Sequence, residues 1–258
     1  MRETVAQFRP DLLQLATELV GTDPFARVDE GTRFAQPAIY GAALAGWERL
    51  GGHDADWAAG HSLGEVAALA AAGALDHHDG LRLAVRRGEV MQAAAERGAG
   101  GMLAILGERE AALELAHDHG LTVANDNAPE QLVVAGPEDD LEAARKAGRR
   151  AGLRAVKLPV AGAFHSPEMD AAVPAFREAL AEVEFGEPRI PVLSCATARE
   201  FTSPRSELAD AIVRPVRWRQ TVRALRERGV ERYIETGPGD VLRKLVDRNL
   251  DQEVAAHA

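Results

Sequence analysis

Residues 57–73 read WAAGHSLGEVAALAAAG. The apolar Trp57-Ala58-Ala59 predicts a short strand. Glu65 to Ala72 is Ala-rich and predicts a helix closed by Gly73. Between them, Gly60-His61-Ser62-Leu63-Gly64 fits G-x-S-x-G, with a serine at the centre of a tight bend. Flanking glycines let the backbone crowd there, and the helix N-terminus that follows favours negative charge. Such a bend exposes a serine hydroxyl as a nucleophile, and the Leu63 amide can donate to an oxyanion. The pattern is short, and the competing reading is a serine that only caps a helix.

Residues 11–20 (DLLQLATELV) have helical spacing of Leu12, Leu15 and Leu19. A second helix over 34–50 is predicted to start near Pro37 and stop at Gly51-Gly52. Residues 102–160 differ: strand 102–106, helix 109–120, strands 121–125 and 131–136 around a turn 126–130, helix 138–152, strand 154–160. That is β-α-β-β-α-β, the split βαβ order of ferredoxin-like folds. Beyond it come a loop at 161–169 (AGAFHSPEM), a helix at 170–183, a strand at 189–195, helices near 206–213 and 218–228, a strand at 232–236 and a helix at 240–249. Strands alternating with helices imply a mainly parallel sheet covered on both faces.

The chain has 258 residues, with 30 Lys+Arg against 40 Asp+Glu and a net charge of −10. That balance argues against nucleic-acid binding. Hydrophobic residues make up 46%, an ordinary globular share. The lone cysteine, Cys195, has no internal partner and fits a reducing compartment. The longest apolar run, Val66 to Leu75, falls short of the ~20 residues that span a bilayer, and the N-terminus lacks the apolar core of a signal peptide. A cytoplasmic protein off the membrane is expected.

A serine nucleophile needs a base. His165 stands in the loop 161–169, after a predicted strand and before Pro167. His77 and His78 are read in a polar turn, His117 and His119 on a polar helix end, His53 after a Gly pair and His257 in the tail. His61 adjoins Ser62 and should point away from its hydroxyl. Taken alone, His165 is more often structural than catalytic. Arg86 and Arg87 lie in LRLAVRRGEVMQ (81–92). A guanidinium fork pairs two-pronged with a carboxylate, although spacing alone favours two solvated helix arginines.

Together these pieces resemble the malonyl-coenzyme A:acyl carrier protein transacylases, including the acyltransferases of polyketide synthases. The matches are collinear: Gln36-Pro37-Ala38, GHSLGE at 60–65, RRGEVM at 86–91, GAFHSPEM at 162–169, PVRW at 215–218 and ETGPGDVL at 235–242. The resemblance implies an α/β-hydrolase-like large domain with a parallel sheet (1–101 and 161–258) and an inserted ferredoxin-like small domain (102–160). It implies Ser62 as nucleophile, His165 as its base, Leu63 N–H as an oxyanion donor and Arg87 as the malonyl-carboxylate anchor. His165 would be oriented by backbone carbonyls near Ala211, not by an acid. Phe164 resembles malonyl-selective members, and His61 and Asn127 would join substrate binding. No metal and no bound cofactor are implied. Malonyl-coenzyme A is the substrate, and an acyl carrier protein, the partner, brings its own phosphopantetheine. A monomer is expected.

The family opens with a strand running into a Gly-Gln-Gly-Ser-Gln loop, which supplies a second oxyanion donor; this chain begins Met1-Arg2-Glu3 without it. Two rivals to malonyl transfer follow: an acyl hydrolase of the same fold, which Arg87 disfavours, and a catalytically silent scaffold, which that missing loop favours. Residues 214–232 hold seven arginines against Glu227 and Glu231. With Arg149, Arg150, Arg154 and Lys157, they are expected to flank the docking cleft for an acidic carrier protein. A solvated amphipathic helix is the competing reading of that stretch.

Overall fold

The computed structural model describes residues 1–52, 55–98, 100–160 and 162–256, with side chains to residue 251. His53 and His257 lie outside the described residues. The chain opens with α1 (Arg2–Phe8), which its spacing did not predict, and α2 (Pro10–Val20). α3 (Thr32–Arg49) starts five residues before Pro37. Bonds from the Phe34 and Ala35 amides to the Gly31 carbonyl initiate it, so Pro37 removes only one bond near the start instead of setting the boundary. β1 (Ala58–Ala59) leads through the Ser62 turn into α4 (Gly64–Ala71), then α5 (His77–Ala95).

His77 and His78 therefore lie in the first turn of α5, not in a polar turn. His77 is packed between Arg9 and the Ala70 carbonyl, and His78 pairs with Asp11.

The middle of the chain forms β2 (Gly100–Leu106), α6 (Arg109–Asp118), β3 (Thr122–Ala128), β4 (Gln131–Pro137), α7 (Glu138–Arg150) and β5 (Arg154–Lys157). These strands make an antiparallel sheet of order β3-β4-β2-β5. β3 runs through Asp126 to Ala128, so the expected turn shrinks to Pro129-Glu130. Strand alternation serves both faces. Leu103, Ile105, Leu132 and Val134 pack with Leu115 and Leu141 of the two helices. Met102, Ala104, Val133 and Ala135 pack on the other side with Ala163 and Phe164. A sheet buried on both faces reads as a continuous apolar run, and its second face seats the loop that carries His165.

The remaining elements are α8 (Val173–Ala181), β6 (Val192–Leu193), α9 (Pro204–Asp210), α10 (Trp218–Glu227) and α11 (Val241–Ala256). The expected helix 170–183 begins as a 3₁₀ turn, Pro167–Ala172. The parallel sheet is smaller than its apolar segments suggest: among the described residues β1 pairs only with β6, through Ala58–Val192 and Ala59–Leu193. The expected strand 232–236 lies in neither sheet, and its Ile234 is 53% exposed. The fold is thus a mixed α/β arrangement. Its largest core packs Tyr40 and Leu44 of α3, Leu69 of α4, Leu81 and Leu83 of α5 and Phe176 of α8.

The turn before α4 has no room to spare. A Cβ on Gly60 would lie 1.8 Å from the Gly64 carbonyl carbon, whereas one on Gly64 meets nothing within 4 Å. Gly60→Ala should therefore cost at least ~3 kcal/mol of unfolding free energy, and Gly64→Ala less than ~1 kcal/mol, as measured by urea denaturation. Equal midpoints for the two variants would contradict this account of the turn.

Candidate active site

Ser62 sits at φ +55° and His165 at φ +59°; Ala198 is the only other non-glycine residue with positive φ among the described residues. Side-chain-bearing residues avoid this region, at a cost of ~1–3 kcal/mol each, and residues held in it cluster at functional sites. The bend at Ser62 is clamped from below. Its amide donates to Cys195 Sγ at 3.4 Å, and the Cys195 amide donates to Glu65 Oε1 at 2.7 Å. Glu65 and Cys195 are both buried. Burial pushes the Glu65 carboxyl and the Cys195 thiol up from their ordinary values.

Two side chains meet Ser62 Oγ. His165 Nε2 lies 2.7 Å away and Arg87 Nη2 lies 3.1 Å away. His165 Nδ1 lies 2.9 Å from the Ala211 carbonyl and 3.1 Å from that of Arg214. Carbonyls only accept, so Nδ1 carries the proton and Nε2 is left to accept from the serine hydroxyl. The hydroxyl in turn accepts from Arg87. The imidazole is 4% exposed. Burial, with the nearby Arg87 charge adding to it, draws its pKa down to about 3, so His165 is a neutral base across the physiological range.

Arg87 is 3% exposed, not a solvated helix arginine. Its Nη1 donates to Gln36 Oε1 at 2.9 Å. Gln36 is fixed in turn, its amide donating to Thr32 Oγ1 at 2.8 Å and to Met91 Sδ at 3.5 Å. Burial draws the guanidinium down to about 10, against an opposing pull from the Glu65 charge. Gln36, Glu65, Cys195 and the Arg214 carbonyl carry no role in the sequence reading. Gln36 and Met91 do stand inside the quoted segments Gln36-Pro37-Ala38 and RRGEVM, which was the available signal.

Ser62, His165, Arg87, Gln36, Phe164 and His61 line one cleft of about 1180 Å³. Leu63, the residue after Ser62, is the N-cap of α4. His61 Nε2 lies 2.9 Å from Asn127 Oδ1, and the ring sits 5.7 Å from that of Trp218. Asn127 is buried behind His61 and is not among the cleft-lining residues. Among the described residues, no cluster of His, Cys, Asp and Glu is arranged to hold a metal, and no helix is long and apolar enough to cross a membrane.

The arrangement makes Ser62 a hydroxyl poised for deprotonation beside a buried cation. Because the folded-state pKa of His165 is depressed, its base form persists well below pH 6.5. Labelling of Ser62 by a fluorophosphonate, followed by mass spectrometry, should keep its rate down to pH ~5. A half-maximal rate near pH 6.5 would mean that the imidazole is not buried in this way.

The profile of the acyl transferase domain family matches residues 17–258. The chain is 43% identical to the polyketide biosynthesis protein ThaF of Burkholderia thailandensis over 96% of its own length, which is 23% of that protein. It is 37% identical to the polyketide biosynthesis malonyl CoA-acyl carrier protein transacylase PksC of Bacillus subtilis, covering 88% of this chain and 81% of PksC. Among solved structures, a malonyl-transacylase in complex with its type II polyketide synthase acyl-carrier protein, PlMCAT:AntF, superposes with a TM-score of 0.85 at 33% identity, covering 96% of this chain and 85% of the other. The chain belongs to the acyl transferase domain family.

Proposed function

We propose that this protein moves a malonyl group from malonyl-coenzyme A to the phosphopantetheine thiol of an acyl carrier protein, for fatty-acid or polyketide synthesis. One observation carries the reading: a base and a buried cation converge on the same serine oxygen. Ser62 Oγ attacks the thioester carbonyl as its proton passes to His165 Nε2. The Leu63 amide takes the oxyanion. Collapse expels the coenzyme A sulfur, which leaves as a thiol with the proton held by His165, and a malonyl-Ser62 ester remains. The carrier's thiol then gives its proton to His165 and attacks that ester, and collapse returns the proton to Ser62. No bound cofactor takes part.

Arg87 selects the acyl group. Its Nη2 exchanges Ser62 Oγ for the malonyl carboxylate, a charge-assisted pair worth roughly 1.5–3 kcal/mol. An acetyl group would leave the buried guanidinium without its anion. Phe164 narrows the cleft beside His165 against an α-methyl branch, and His61, braced by Asn127, lines the approach to Ser62. We read residues 102–160 as a ferredoxin-like small domain inserted in an α/β-hydrolase-like large domain (1–101 and 161–258). The protein is read as cytoplasmic and monomeric.

The carrier docks on basic side chains that have no carboxylate of their own. Arg214 pairs with Asp210 and Arg223 with Glu227. Arg226 and Arg150 are exposed and form no ion pair among the described residues. The double reversal Arg226→Glu, Arg150→Glu should raise the KM for carrier protein severalfold and leave that for malonyl-coenzyme A unchanged. A carrier KM that does not move would remove this surface from consideration.

Mass spectrometry after mixing with malonyl-coenzyme A tests the chemistry. A malonyl adduct is expected, absent in Ser62→Ala and discharged by carrier protein. Rapid release of free malonate would identify a hydrolase instead, and no adduct on folded protein would identify a scaffold. Arg87→Ala should lower malonyl loading ~10-fold or more and raise acetyl loading relative to it. An unaltered acyl preference would refute the role given to Arg87.

A further inference from the structure

The general base is oriented by carbonyls of residues 211–217, a stretch between α9 and α10 that belongs to neither helix. Something outside the stretch has to hold it still. Part of the hold is Cys195, whose carbonyl accepts from the Arg217 amide at 2.6 Å. A second hold comes from β3. Val216 donates to the Ala124 carbonyl and accepts from the Asp126 amide, both at 2.8 Å. This is a parallel bridge between the edge of the antiparallel sheet and the segment that aims His165.

Asp126 grips that segment a second time. Its carboxylate, on a residue 5% exposed, accepts from Arg219 Nε at 3.2 Å to each oxygen; Arg219 lies three residues beyond Val216, in the first turn of α10. The same carboxylate takes a two-pronged bond from Arg109 at the start of α6, at 2.7 and 3.1 Å. Asp126 thus chelates residues 216–219 through its amide and its side chain, and Arg109 anchors it to the antiparallel unit. The two positions on either side of it face the site. Asn125 lines the cleft, and Asn127 braces His61. The two-pronged Arg109 pair holds the carboxylate in one preferred geometry, and the single Arg219 Nε–H, shared between both oxygens, ties that carboxylate to the start of α10.

From this we infer that Asp126 is a positioning residue for the general base: clamped by Arg109 and Arg219, it fixes the segment whose Arg214 and Ala211 carbonyls set the His165 ring. The inference rests on the acyl-transfer reading of the site. Displacing the ring by about an ångström would cost up to ~100-fold in rate, without touching the malonyl-carboxylate contact. The clamp therefore acts on kcat and leaves the KM for malonyl-coenzyme A alone.

The test uses the full chain with ¹⁵N-labelled histidine. In the wild type, the Nδ1–H of His165, bonded to two carbonyls and buried, should give a slowly exchanging downfield signal. In Asp126→Ala that signal should shift or broaden, with kcat down ~10–100-fold and the KM for malonyl-coenzyme A within about twofold. Arg219→Gln, at a partly exposed position, should reproduce the effect more weakly if Asp126→Ala does not fold. The double variant should lose little beyond Asp126→Ala alone. A folded Asp126→Ala with wild-type kcat overturns the inference, as does a fallen kcat with an unmoved Nδ1 signal. A moved signal in a protein that transfers no malonyl group leaves the positioning role standing and sinks the transfer reading.

Discussion

A serine hydroxyl that two other side chains must touch at once has to be lifted clear of its own backbone, and the turn at 60–64 meets that demand at a cost. Ser62 is held at φ +55°, where a residue with a Cβ sits ~1–3 kcal/mol above its relaxed state. The strain persists because the surroundings leave no alternative. Gly60 is pressed against the Gly64 backbone, and the Ser62 amide is tied to Cys195. Glu65, in the first turn of α4, holds Cys195 by its amide. The helix that follows the serine thus reaches back, through β6 and the loop after it, to lock the serine's own conformation.

The same small volume holds a buried carboxyl and a buried guanidinium. Desolvation is the largest influence on both, pushing Glu65 up and Arg87 down. Each charge opposes that effect in the other, as a mutually stabilising pair must. The geometry gives Glu65 a mechanical duty, the hold on the Cys195 amide. Gln36 completes the arrangement: its carbonyl oxygen occupies one arm of the guanidinium, so the other arm is directed at Ser62. A fork with both arms free would be less constrained in the direction from which it meets an anion.

Much of this was legible in the chain. The strand–turn–helix at 57–73 and the loop bearing His165 are local features, and the order of elements over 102–160 follows from strand and helix periods that do not depend on distant partners. What the sequence hid depends on partners. Residues 232–236 have strand composition but no neighbour in either sheet. A strand is a property of a pair of segments, and this one is laid beside neither sheet. Arg87 looks solvated from spacing because α5 has arginines on more than one side. Its burial follows from α3 packing over it, and Gln36 is the residue through which that packing acts. Pro37 marks a boundary only if the helix begins there. With Gly31 starting it earlier, the ring falls inside the helix, in its second turn, and α3 runs on without that one bond.

The choice of carbonyls rather than a carboxylate behind His165 follows from Arg87. An aspartate behind the imidazole would favour its charged form, and the ring would then tend to keep the proton it must return in each half of the reaction. Here the ring is buried beside a cation, and two backbone carbonyls orient it without adding charge. Orientation by dipoles separates two tasks that an acid would combine: aiming the ring and setting its affinity for a proton. On the proposed transfer, in which His165 accepts a proton in each half, that separation keeps the ring neutral before each step. It also puts the burden of precision on the backbone of residues 211–217, which is why the edge of a distant sheet is built into the active site.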